Sequence, residues 1–355
     1  MLRFHPAVFA VGNCYQIIVN TEKEAFIEIR TGDTVFTDDS NGILRSASTC
    51  HKFTIPCGLL DSQGKYTVTE TQVIKRKAYF TQTGEKSEYC YSFRPVPDEG
   101  IRIYHIADTH NHIDAPVKAA ENYGKIDLLI LNGDIPEDSS TLSNFDTIYD
   151  ICSRITGGEI PCVFARGNHD LRGVAAEFHS QYLPDRNGCS YYTFKAGRVC
   201  GICLDCGEDK RDDNPEYGGT VACHGFRLRE TEFIEKITRE EDSSQDADYK
   251  LIIVHVPFIH RYAPPFDIEE EIYCGWASLL RDYKPDLMLC GHEHRYRLVY
   301  PGEDYNDYGL PCPLLIGAKN QDGCFGGAGI ELTGKTAKVT LIDNNGISEQ
   351  FEIKL

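Results

Sequence analysis

IRIYHIADTH (101–110), DLLILNGD (127–134), PCVFARGNHD (161–170), YKLIIVH (249–255) and DLMLCGHEH (286–294) share one pattern: an apolar run, then a polar side chain as the run stops. Runs this continuously apolar read as strands buried on both faces, the mark of a largely parallel sheet covered by other layers. The polar residue then falls where strand gives way to loop, on rigid scaffold beside a segment free to vary. Asp108 and His110 are two apart, as are His292 and His294. In extended chain such pairs point the same way, so each pair converges on one point. Glycine precedes Asp134, Asn168 and His292 and permits tight turns and close backbone approach. In order, D-x-H, G-D, G-N-H-D, H and G-H-x-H bring, apart from Asp170, two carboxylates, one amide oxygen and five imidazoles. That mixed oxygen and nitrogen set suits two divalent metal ions of the manganese, iron or zinc type.

The segments between these runs carry apolar residues at three- and four-residue spacing: 115–125, 142–155, 227–241 and 274–284. Helices alternating with strands predict an α/β sandwich, helices outside and mixed sheets within. The segments 313–318, 327–334, 337–344 and 349–355 read as antiparallel strands extending one sheet. The acidic stretch 240–248 reads as a solvated loop after a helix.

The first 95 residues have a different texture. CYQIIVN (14–20), AFIEIR (25–30), YTVTETQVI (66–74) and EYCYSF (88–93) alternate, and the turn signals TGD, SNG and SQG separate them. This predicts a small antiparallel β-sandwich over residues 1–96, with Pro95 and Pro97 marking the junction to a domain at 100–355. The segment from Leu60 to Tyr66 is similar to the tyrosine-corner region of fibronectin type III-like and immunoglobulin-like domains.

The motif order over roughly residues 100–320 resembles the calcineurin-like metallophosphoesterase superfamily, whose fold is an α/β/β/α sandwich. The resemblance implies one metal held by Asp108, His110, Asp134 and His294 and a second held by Asp134, Asn168, His255 and His292. It implies that His169 faces the substrate as proton donor or phosphoryl-oxygen stabiliser, with Asp170 orienting it. Hydrolysis of a phosphate ester by a hydroxide shared between the two cations follows from that layout. Purple acid phosphatases also set a β-sandwich before this catalytic domain, and the layout here resembles theirs. Their metal site differs: they carry a tyrosine three residues after the bridging aspartate, where this chain has Glu137, and a glycine where this chain has His110. A ferric, coloured centre is therefore not expected. The motif set is closer to the branch that holds cyclic-nucleotide phosphodiesterases and broad-specificity esterases.

Composition sets limits. The formal net charge of −18 argues against a general nucleic-acid binder, but it does not exclude the small anionic phosphate ester that the resemblance implies as substrate, because bound metals would set the local field. No stretch approaches the ~18 apolar residues of a membrane span. The start, MLRFHPAVFAVGNCYQ, is a poor secretory signal, and 15 cysteines cannot all pair, so a cytoplasmic address with reduced thiols is expected. Cys200, Cys203 and Cys206 mimic part of an iron–sulfur or zinc motif, but in a strand Cys203 points away from the other two.

The loops near 109–115, 135–143, 171–190, 207–225 and 258–275 are where substrate choice would reside. Asn111, His112, Arg172 and Arg261 are the candidate substrate contacts, with His224 and Tyr262 beside them. Arg166 reads as a support for its strand end. Tyr217, Phe258, Tyr262, Phe266 and Trp276 would form a stacking wall for a base or else pack the loops down. Three functions fit: a phosphodiesterase for a nucleotide or other small diester, a phosphomonoesterase for small molecules or phosphoproteins, and a non-catalytic scaffold. The filled ligand set speaks against the last. For the N-terminal sandwich two roles fit, covering an edge of the active site or forming a homo-oligomer.

Overall fold

The computed structural model describes residues 1–239, 247–321 and 323–355, so most of the acidic stretch 240–248 lies outside the described residues. Two large sheets face each other. In the first, Ile101–Ile106, Leu128–Asn132 and Cys162–Ala165 run parallel, all buried apart from the half-buried Arg102. In the second, Val199–Leu204, Tyr249–Val254, Leu287–Cys290 and Leu314–Ile316 run parallel, flanked by antiparallel strands Tyr192–Ala196 and Arg297–Val299. Side chains from both sheets, among them Ile130, Phe164, Cys203 and Leu289, merge into one core. Helix Asp114–Tyr123 lies on the outer side of the first sheet. Helices Cys223–Arg239 and Glu270–Tyr283 cover the second, over a separate core built around Trp276. The layers are thus helix, sheet, sheet, helix. No helix of the described residues is long and apolar enough to cross a membrane.

The carboxyl-terminal hairpins Cys324–Thr333, Thr336–Asp343 and Gly346–Lys354 extend the first sheet antiparallel to Ile101–Ile106, as read from sequence. The segment 313–318 does not join them. Its strand Leu314–Ile316 pairs parallel with Leu287–Cys290 in the second sheet, because a short, fully buried run carries no alternation to reveal its partner.

Residues before 96 are all-β apart from one short helix, Cys57–Gln63, and they form two leaves. One leaf is the four-stranded sheet of Thr34–Thr37, Ala25–Thr31, Lys65–Lys75 and Gln82–Ser92. The other, made of Ala7–Val11, Cys14–Asn20 and Cys50–Pro56, is continuous with the catalytic sheet, since Ala7–Val11 runs parallel to Cys162–Ala165. Ile17, Phe53, Ile29 and Val68 from the two leaves belong to the same core as the catalytic strands. Tyr66 does not form the expected tyrosine corner. It follows Cys57–Gln63 and the left-handed Gly64, and its hydroxyl donates to the Gly158 carbonyl at 2.7 Å rather than to nearby backbone.

All 15 cysteines are free thiols. Cys203 faces the inter-sheet core, whereas Cys200 contacts Tyr283 and Cys206 packs in the outer core, so the three share no point.

Candidate metal centre

The five apolar runs end at one place, between the carboxyl ends of the two sheets. The first sheet delivers Asp108, Asp134 and Asn168, all buried; the second delivers His255, His292 and His294. Two donor clusters result, Asp108 with His110 and His294, and Asp134 with His255 and His292, and a third grouping joins His110 to Glu137 and His169, the donor atoms of each within 4.8 Å of one another. Asn168 joins the second, its Oδ1 3.1 Å from His292 Nδ1.

Close contact of glycines makes this possible. A Cβ on Gly133 would stand 2.6 Å from the Gly167 backbone and 2.7 Å from the His255 ring, and one on Gly291 would stand 2.7 Å from Asp108 Oδ2. Beneath the centre, Asn132 ties the sheets together: its amide nitrogen donates to the Val254 and Leu289 carbonyls at 3.3 and 3.0 Å. Its own carbonyl accepts from His255 Nδ1 at 2.6 Å. That bond fixes the imidazole so that Nε2 presents its lone pair to the centre.

The donors fit metal ions. His255 Nε2 is buried without a hydrogen-bond partner among the described residues and lies 3.0 Å from Asp134 Oδ2. His110 Nε2 and His294 Nε2 stand 3.1 Å apart, the spacing of two imidazoles at right angles on one cation at about 2.1 Å. Burial pushes the Asp108 and Asp134 carboxyls up, but His255, together with His294 at Asp108 and with His169 and His110 at Asp134, reverses this and holds both below the ordinary range. Burial pulls His255 down, and the two aspartates overcome it to reach about 10. So strong a field of paired charge at a buried point is what a cation would replace.

His169 lies beside the clusters, its ring centroid 4.7 Å from that of His110. Its Nδ1 donates to the Glu137 carbonyl at 2.8 Å, and its Nε2 accepts from Arg172 Nη1 at 2.9 Å. Asp170 does not orient it. That carboxylate turns inward and accepts from the Gly167 and Asp134 backbone at 2.7 and 3.0 Å, bracing the turns that carry the ligands. Burial and the Asp134 charge raise Asp170 to about 7.

The other expected contacts divide. Arg172 reaches the centre through His169. Arg261 is exposed at the rim, paired with Glu270. Asn111 is taken up by its loop, where its Oδ1 accepts from the Glu137 amide at 3.2 Å. His112 is exposed, its backbone amide bonded to the Thr109 carbonyl. His224 pairs with Glu269. Arg166 braces its strand end against buried Asp205, as expected.

A cavity of about 290 Å³ adjoins His292, lined by Phe258, Tyr262, Phe266 and Tyr308, with Asp209, Asp267 and Arg261 among its polar residues. Of the five aromatics expected in a wall, Phe258, Tyr262 and Phe266 line it. Trp276 is fully buried behind Phe258, and Tyr217 packs on its own loop with its hydroxyl on Asp209. Three residues near the centre escaped the sequence reading of the site: Asn132, Glu208 and the side chain of Glu137, whose Oε2 is 3.1 Å from His110 Nδ1. Only the Asn closing LLILN, a buried amide in an apolar run, offered a signal.

Two facing sheets with metal-donor groups at their carboxyl ends, in a chain whose residues 101–296 match a phosphoesterase family, indicate a phosphoric ester hydrolase. The family model described as calcineurin-like phosphoesterase matches residues 101–296, and the chain belongs to that family. Among solved structures, a purple acid phosphatase from yellow lupin (Lupinus luteus) seeds matches with a TM-score of 0.64 at 13% identity, over 99% of this chain and 74% of that one. The shared fold therefore includes the N-terminal leaves. A dimetal phosphatase from Danio rerio matches at 14% identity with a TM-score of 0.49, over 72% of this chain and 99% of that one. No curated protein matches the chain.

Proposed function

We propose that this chain hydrolyses a small phosphodiester, such as a nucleotide, with manganese, iron or zinc in both metal positions. The observation that carries the diester reading is the aromatic cavity beside His292. A monoester has one organic group, and a diester has a second that needs housing; a cavity against a ligand imidazole supplies it. In this reading Asp108, His110, Asp134 and His294 hold one cation, and Asp134, Asn168, His255 and His292 hold the other. Cations held by these residues would supply Lewis acidity, lowering the pKa of a bound water and offsetting phosphoryl charge. Asn168, a neutral amide, limits the negative charge at the centre. His169 stands beside the ester, with Nδ1 held by the Glu137 carbonyl and Nε2 by Arg172. Residues 1–96 serve as an accessory unit to the catalytic 100–355, and the free thiols fit a cytoplasmic setting.

The test is hydrolysis of bis(p-nitrophenyl) phosphate beside p-nitrophenyl phosphate, with manganese and with a chelator. Diester cleavage that dominates and disappears with the chelator supports the reading. A preference for the monoester replaces it with a phosphomonoesterase, and silence from protein holding two metals per chain removes it.

A further inference from the structure

Glu208 sits just beyond the strand Val199–Leu204 with its carboxylate wholly buried, and it belongs to neither donor cluster. Its Oε1 accepts from Arg172 Nε at 3.0 Å and its Oε2 from Arg172 Nη2 at 3.1 Å. A two-point pair of this kind fixes the plane of a guanidinium as well as its position. The loop is pinned in turn, because buried Arg227 on helix Cys223–Arg239 donates to the carbonyls of Cys206 and Glu208.

The result is a guanidinium held 2.9 Å from His169 Nε2. His169 gives its Nδ1 hydrogen to the Glu137 carbonyl, which leaves Nε2 to accept from Arg172. The permanent positive charge beside it is Arg172. Three of its N–H donors are engaged, and among the described residues one on each Nη stays open. The next carboxylates, Asp209 and Glu216, are 3.9 Å from Nη2, beyond hydrogen-bonding reach. A buried ion pair is weak evidence of stabilisation, since a well-packed apolar pair does as well. What it secures here is aim.

We propose that Arg172 is a catalytic residue whose open N–H groups bind a phosphoryl oxygen beside His169, and that Glu208 is the positioning residue that orients it. The inference rests on the phosphoesterase reading above and adds the source of fixed positive charge on the substrate side of His169. Charge developing on a phosphoryl oxygen is best met by a donor that need not move, and a guanidinium locked from behind meets that condition.

The experiment uses the full chain loaded with manganese. Arg172→Ala is expected to lower kcat on bis(p-nitrophenyl) phosphate about 10²–10³-fold, the loss typical of one such donor, with metal content unchanged. Millimolar guanidinium should raise that kcat roughly tenfold, and should do nothing for Arg172→Ala combined with Glu208→Gln, whose seat has lost its charge. Binding of orthophosphate, followed by calorimetry, reads the same contact without turnover, and Arg172→Ala should weaken it roughly tenfold. If Arg172→Ala does not fold, Arg172→Lys serves, keeping the charge and losing the fork. An unchanged kcat in either variant, or guanidinium rescue that is equal with and without Glu208, overturns the proposal. Phosphate binding that depends on Arg172 in a protein that cleaves no ester upholds the contact and overturns the diesterase reading instead.

Discussion

Asp108, His110, Asn111, Asp134, His292 and His294 all hold a left-handed backbone, with φ between 45° and 72°. They are half of the twelve described non-glycine residues that do so. Each costs on the order of 1–3 kcal/mol, and such strain persists only where the surroundings over-determine it. The donor positions are therefore imposed by the backbone and its packing, and are not left for a cation to assemble. Gly133→Ala tests this, since its Cβ would meet both the Gly167 backbone and the His255 ring. The variant should unfold at lower denaturant, by about 1–3 kcal/mol, and bind less metal. Wild-type metal content in a folded Gly133→Ala protein would show that the centre tolerates displacement. Roles separate in the same way at single residues. Asp134→Ala should lose activity and most metal, because both clusters approach that carboxylate. His169→Ala should keep its metal while turnover falls about 10²–10⁴-fold. Loss of metal from His169→Ala would make it a ligand.

Helix Cys223–Arg239 buries two charged side chains, Arg227 and Glu230, against the loop that carries Glu208. Glu230 Oε1 accepts from the Asp205 amide at 2.8 Å, while Oε2 has no partner among the described residues. Burial, with the Asp205 charge, pushes Glu230 well above its ordinary value of 4.5. The folded chain thus keeps a proton that the unfolded chain has released, so stability falls as pH rises from 4.5 toward the raised value. The slope is about 1.4 kcal/mol per pH unit across that window. Glu230→Gln mimics the protonated acid, so it should match the wild type near pH 4.5 and unfold at higher denaturant than the wild type at about pH 8. Parallel curves for the two proteins across this range would remove Glu230 as the cause. Elements also show why the site was only partly legible. D-x-H and G-H-x-H could be read because they follow unbroken apolar runs. The expected convergence of each two-apart pair on one point fails for the second motif: these four residues hold left-handed rather than extended backbone, and His292 and His294 fall in different clusters. Glu208 could not be read, since Arg172 lies 36 residues away and no local spacing records the pair. Asn132 stands out as an amide closing an apolar run, but its carbonyl partners lie 122 and 157 residues away and leave no local trace. Asp170 was misread because adjacency to His169 suggested contact, whereas the short helix His169–Leu171 turns its side chain toward the Gly167 amide.

The large sheet is one hydrogen-bonded surface from Gly346–Lys354 at one edge to Cys50–Pro56 at the other, and that continuity joins what the sequence presents as two units. Alternation and turn signals correctly predicted β-structure before residue 96, but pairing between Phe9 and Cys162 spans the junction and has no local trace. The joint is extensive: Ala7–Val11 is buried along its whole length, and Cys14–Asn20 is buried apart from its first residue. Removing residues 1–96 would uncover the edge of Cys162–Ala165 together with core side chains such as Phe164. Chains of this size usually unfold in steps. Here the shared sheet and shared core predict one transition instead. The probes are well placed to decide, because the single tryptophan, Trp276, is buried in the outer core of the second sheet and reports only on that side. Far-ultraviolet circular dichroism follows every strand, the N-terminal leaves included. In urea the two signals should superimpose, and residues 100–355 expressed alone should be insoluble. A dichroism transition that precedes the loss of Trp276 burial, or a soluble and folded 100–355, would mean that the N-terminal leaves are a separable domain resting against the catalytic sheet.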